Sequence, residues 1–207
     1  TNVTYSNGTL NNIAITPFKA ASSDARTQII YQAAELTLAG LVNGDQITGI
    51  RYTLTSKGSS TSYNSFTIGY ALIPSGTQHV SNVPNATPLT TVYGPVAYNT
   101  ALGVNTINLT TPIVWDGSSN IIIQYCYDNA GPLGANNDVI QETQTTGIGS
   151  VLCLSNNTGT ASGCALSMLV AGTTDNFFSG TKTIRPNFTF LINRPYTKTK
   201  ICVQEDW

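Results

Sequence analysis

Short apolar stretches, each bounded by Gly, Pro, Asn or Ser, set the pattern of this chain, and several alternate with a period of two. From Ile47 to Leu54, the residues Ile47, Gly49, Arg51 and Thr53 fall on one face, and Thr48, Ile50, Tyr52 and Leu54 on the other. From Ser65 to Ile73, Phe66, Ile68, Tyr70 and Leu72 share a side. Thr106 to Leu109 alternates again, with Ile107 and Leu109 together. Ile121-Ile122-Ile123 leads into Gln124-Tyr125-Cys126-Tyr127, a β-branched and aromatic run that predicts a central strand. Val139–Thr143, Val151–Leu154 and Leu166–Ala171 predict shorter strands, and Asn187–Ile192 predicts the closing one. Turn signals separate them: Asn43-Gly44-Asp45, Lys57-Gly58-Ser59, Pro74-Ser75-Gly76, Asp116-Gly117 and Gly131-Pro132.

Only Ala33-Ala34-Glu35-Leu36 through Leu41 reads as helix, one or two turns long with Gly40 as its stop. Many short strands and almost no helix predict an all-β fold: a single jelly-roll-like antiparallel β-sandwich with long loops. The sandwich is expected over 1–192. Residues 193–207 then form a tail, either an extra edge strand (Thr197 to Gln204 can alternate) or the start of a neighbouring module.

Composition narrows the function classes. Charged residues make up only 9% of 207 residues, while Thr and Asn supply 31 and 20. Polarity therefore rests on hydroxyls and amides. A net charge of -1 excludes the basic footprint of nucleic-acid binding and a polybasic membrane patch. No apolar run approaches the length of a membrane span. The polar opening, Thr1-Asn2-Val3-Thr4, suits a processed product or an excised module.

Cys126, Cys153, Cys164 and Cys202 lack C-x-x-C spacing, and His79 is the single histidine, so a zinc site would be short of ligands. An even cysteine count in such a chain points to two disulfides and an oxidising compartment, with three connectivities open.

Candidate chemistry is sparse. His79 lies in a Pro/Ser/Asn-rich loop stretch, and there is no G-x-S-x-G elbow, phosphate loop or dinucleotide glycine pattern. Of the carboxylates, Asp128 and Glu142 are a conceivable hydrolase pair, though nothing in their spacing requires them to meet. Calcium is the more credible ion, because carboxylates, amides and carbonyls are hard oxygen ligands. Asp128-Asn129 and Asp138 flank one Gly/Pro loop and are its candidate ligands. For sugar stacking, Tyr127 beside Asp128-Asn129 and Trp115 beside Asp116-Gly117 are the compact aromatic–polar pairs.

These fragments also occur in a familiar order. Asp24-Ala25-Arg26-Thr27-Gln28-Ile29-Ile30-Tyr31 is followed by Ala34-Glu35-Leu36, Ala39-Gly40-Leu41 and Ile47-Thr48-Gly49-Ile50. Thr111-Pro112-Ile113-Val114-Trp115-Asp116-Gly117, Cys126-Tyr127-Asp128-Asn129, Ser162-Gly163-Cys164 and Arg185-Pro186-Asn187-Phe188 come later. Over roughly 15–191 the chain resembles a β-sandwich module of secreted Bacteroidota surface proteins, many exported by type IX secretion. The resemblance implies an extracellular, non-catalytic module of adhesins and carries over no catalytic residue. Its recurrent cysteines match Cys126 and Cys164. Cys153 and Cys202 would then be this chain's own addition, while Cys153–Cys164 is an equally reachable rival.

The function expected first is adhesion or glycan binding at the cell surface, with no cofactor beyond structural calcium. The alternative is a structural subunit whose partners are copies of itself, its terminal strands augmenting neighbouring sheets. A hydrolase comes last.

Overall fold

The computed structural model describes residues 2–4, 9, 16–78, 84–144, 149–157, 162–167 and 181–195, with backbone alone for 2–4, 181 and 182. In chain order the elements are β1 (Asn2–Thr4), β2 (Asp24–Tyr31), α1 (Ala33–Leu38), β3 (Gln46–Ser56), β4 (Tyr63–Ile73), β5 (Thr90–Tyr98) and β6 (Gly103–Val114). There follow β7 (Asn120–Asp128), β8 (Val139–Ile140), β9 (Glu142–Gln144), β10 (Val151–Asn156) and a 3-10 turn (Gly163–Ala165). β11 (Thr181–Lys182), β12 (Ile184–Pro186) and β13 (Thr189–Asn193) complete the series.

The fold is an all-β sandwich, as the period-two pattern predicts. One sheet runs β1-β13-β3-β6, with β8 also on β3, and the other runs β11-β10-β2-β7-β4-β5. β12 and β9 form a separate two-stranded ribbon. Every pairing is antiparallel. The chain passes between sheets as it goes: β2 in one, β3 in the other, β4 and β5 back in the first, β6 in the second. Residues from both inner faces form one core. Phe18 sits within it, its ring 5.0 Å from Tyr52, 5.4 Å from Tyr63 and 5.7 Å from Phe66.

Two strands escape the sequence pattern. β2 is central in the six-stranded sheet and buried along nearly its whole length, so its apolar and polar residues do not alternate. β5 contains Gly94-Pro95, which reads as a break. It tolerates proline because it is an edge strand. The expected strand Val139–Thr143 is divided into β8 and β9. The expected strand at Leu166 does not begin there, since Leu166 caps the 3-10 turn, and residues 168–171 lie outside the described set.

The helix matches its sequence signals. The Gln32 N–H donates to Glu35 Oε2 at 3.1 Å, the Ala33 N–H donates to Asn120 Oδ1 at 2.8 Å, and Gly40 follows the last turn at φ +98°. Arg185 then binds Glu35 at 3.0 Å and lies 4.7 Å over the Tyr31 ring.

In β3 the pairing shifts register between Ile47 and Gly49. That bulge reverses the alternation, so Ile47 joins Ile50, Tyr52 and Leu54 in the core, while Gly49, Arg51 and Thr53 occupy the outward positions. At the other end, β13 runs to Asn193 and Arg194 binds Asp45, so packed chain reaches past 192. Residues 196–207, with Cys202 and the expected tail strand, lie outside the described set, as does His79.

Candidate functional site

The two aromatic residues expected to stack on sugar are interior. Trp115 is 1% exposed and donates its indole N–H to Ser119 O at 2.8 Å. Tyr127 is 0% exposed, packs against Tyr63 at 4.8 Å, and donates its hydroxyl to Lys19 O. Neither offers a ring face to a ligand. The period-two geometry explains Tyr127: in register with Ala25 on β2, it points into the core.

The three expected calcium ligands are not brought together. Asp138 is buried and committed to its own loops. Its Oδ1 accepts the Gly58 and Ser59 N–H groups at 2.6 and 2.8 Å. Its Oδ2 accepts the Ser59 and Thr100 hydroxyls at 2.9 and 2.5 Å. Gly58 is required there, since a Cβ would stand 1.9 Å from Asn136 O. Asn129 is likewise engaged, its Oδ1 accepting Asn64 N–H and its Nδ2 donating to Ser62 O. Among the described residues no three His, Cys, Asp or Glu side chains surround a common point.

Asp128 has a different partner. It lies in register opposite Asp24 of β2, with Asn156 of β10 on Asp24's other side. All three fall on the outer face of the six-stranded sheet, because their neighbours Ala25 and Tyr127 face the core. The Asp24 carboxyl is fully buried, and burial, reinforced by the Asp128 carboxylate, pushes it up to about 7. Glu142 lies elsewhere, opposite Pro186 in the β12–β9 ribbon. Together with Cys153 it flanks Lys19, whose ammonium burial pushes down. The conceivable Asp128–Glu142 pair is therefore replaced by Asp24–Asp128. No sequence signal marks Asp24, because its role depends on which strand lies beside β2.

The Cys126–Cys164 disulfide is present. It excludes the rival pairing of Cys164 with Cys153, whose thiol is buried and meets the Thr27 hydroxyl at 3.6 Å.

The two outer faces of the sandwich differ. On the six-stranded sheet, Asn85 N–H donates to Gln28 Oε1 at 2.8 Å, Leu89 packs on Ile30 and Ile122, and Arg26 donates to Leu166 O at 2.8 Å. The disulfide pins the 3-10 turn over the same face. A Cβ on Gly163 would stand 1.8 Å from Tyr127 O. On the four-strand path of the other sheet, several outward positions are exposed, while the Leu191 side chain lies over Gly49. Arg51 lies between Thr106 and Thr189, and Gly49 lies between Asn108 and Leu191. Thr53, Thr106, Asn108 and Thr110 are exposed, and the Arg51 Nε–H donates to Thr106 Oγ1 at 3.4 Å. The alternation of Gly49, Arg51 and Thr53 carries this surface in the sequence.

No family model matches the chain, and neither does any curated protein. Two solved structures are similar in shape. One holds the cysteine protease and lectin-like domains of Cwp84, a surface layer associated protein of Clostridium difficile, at 12% identity and TM-score 0.39. The other is the clostridial cysteine protease Cwp84 after propeptide cleavage, at 13% identity and TM-score 0.41. They cover 81% and 91% of this chain, which spans only 32% and 40% of theirs.

Proposed function

We propose that the chain is a non-catalytic extracellular binding module that recognises a neutral, hydroxyl-rich ligand, a glycan, on the open face formed by β13, β3 and β6. The observation that carries this reading is the contrast between the two outer faces. Loops and a disulfide cover one, while the other presents threonine hydroxyls, an asparagine amide and one guanidinium beside the exposed Val104. The hydroxyls and the amide both donate and accept hydrogen bonds without charge, and the Arg51 guanidinium adds donors. Placement outside the cell is supported by the disulfide, since thiols stay reduced in the cytosol. No helix among the described residues is long and apolar enough to cross a membrane.

A glycan array with the wild-type chain and the double variant Arg51→Ala/Asn108→Ala tests the assignment. Selective glycan binding that the variant loses, at an unchanged unfolding temperature, is the expected result. Binding retained by the variant moves the site elsewhere, and no glycan bound by the wild type removes the reading.

A further inference from the structure

We propose that Asp24 and Asp128 form a binding site for a hard divalent cation, calcium by its chemistry, on the outer face of the six-stranded sheet. The site is separate from the open face and does not depend on it. Asp24 and Asp128 are cross-strand neighbours at the end of β2 and β7, so their carboxyl groups share one side of the sheet. Both oxygens of Asp24 are buried without a hydrogen-bond partner, and so is the hydroxyl of the preceding Ser23. Burial disfavours the charged Asp24 carboxylate, the Asp128 carboxyl beside it adds like-charge repulsion, and the nearby Asn129 N–H offsets only part of this.

Among the described residues no basic side chain forms an ion pair with Asp24 or Asp128, and Arg185 and Arg194 are engaged by Glu35 and Asp45. Arg26, two residues along on the same face, is turned to Gln124 and to Leu166 O. A divalent cation offsets both charges at once. Its remaining coordination suits amide oxygens, backbone carbonyls and water, as calcium takes six to eight oxygens. Asn156 stands in register on the far side of Asp24 as an amide of that kind. Asp128 is only half-buried, which leaves a way in from solvent. The disulfide-pinned turn lies next to this end of the sheet, so a bound ion would also tie β2 and β7 together beneath it.

Calorimetric titration and thermal unfolding of the full chain, stripped with chelator, test the site, with calcium chloride as the probe and magnesium chloride as comparison. Calcium is expected to bind with Kd of roughly 0.1–1 mM, the range of extracellular modules, and to raise the unfolding midpoint. Asp24→Asn and Asp128→Asn, near-isosteric changes checked for folding by circular dichroism, should each weaken it at least about tenfold, since each removes one of the two anionic ligands. Should one variant fail to fold, the other still decides. A wild-type chain indifferent to calcium overturns the proposal, and so does calcium binding undiminished in both variants. Stability that instead falls as pH rises toward 7, with no response to calcium, would mean that the pair shares a proton and holds no ion. Because the readout is the cation alone, its failure leaves the glycan reading untouched.

Discussion

Arg194 grips Asp45 through two parallel hydrogen bonds, Nε to Oδ1 and Nη2 to Oδ2, each 2.7 Å long. The same Nη2 also donates to Gly40 O at 2.8 Å. This fork ties the chain leaving β13 to the turn between α1 and β3. The Arg194 guanidinium holds the Asp45 carboxyl below its ordinary 3.8, helped by the Val42 N–H. A carboxyl lowered in the folded state stabilises the fold above its unfolded value and ceases to as pH falls through its folded one. Thermal unfolding between pH 2 and 6 should therefore show stability declining below about pH 4, and Asp45→Asn should remove part of that slope. An Asn variant with the wild-type acid profile would show that the fork contributes nothing to acid sensitivity.

Asp138 joins the loop after β3 to the loop before β8, and we expect it to be a stability residue. Asp138→Ala leaves two buried N–H groups and two hydroxyls without an acceptor and should cost at least about 3 kcal/mol in urea unfolding. Asp138→Asn should cost only about 1 kcal/mol, because Oδ1 keeps the N–H groups while the hydroxyls rotate to accept. Equal losses in the two variants would mean that the negative charge, rather than the hydrogen-bond pattern, matters.

The Cys126–Cys164 bridge closes a loop with a sequence separation of 38. In the chain-entropy account, removing a bridge of that span with Cys126→Ala/Cys164→Ala costs roughly 4 kcal/mol. Reduction of the wild-type protein should lower its unfolding midpoint comparably, and a midpoint insensitive to reductant would count against the bridge.

Phe18 touches rings from three strands, β3, β4 and β5, including Tyr98 at 5.9 Å. Phe18→Ala should lose about 3–5 kcal/mol, and Phe18→Leu less, by denaturant unfolding. A loss under 1 kcal/mol, by the same scale, would show that the rings close over the gap.

What the sequence determined by itself is the kind of fold. Period-two runs at Ile47–Leu54 and Ser65–Ile73 need only local geometry to become strands, and the β-branched, aromatic run Ile121–Tyr127 becomes a central strand buried on both faces. Gly40 ends the helix for an equally local reason. The pairing of Cys126 with Cys164 was an expectation from resemblance alone, and that disulfide is present.

Tertiary structure decided the rest. Strand β2 has no readable alternation because both its faces are covered, and that cover comes from chain far away in sequence. The bulge at Ile47/Gly49 changes which residues of β3 face solvent, and it shows in the pairing with both β6 and β13. Whether Trp115 and Tyr127 are ligand platforms or core depended on which side of each strand meets the opposite sheet. Asp138 became a loop anchor through donors about 40 and 80 residues away, at separations of 38 for Thr100 and 79 for Ser59. Asp24 and Asp128 are neighbours only because β2 and β7 pair. A residue's type sets the chemistry it is capable of. The partners that turn this into a site come from strand pairing between distant parts of the chain, which local pattern does not encode.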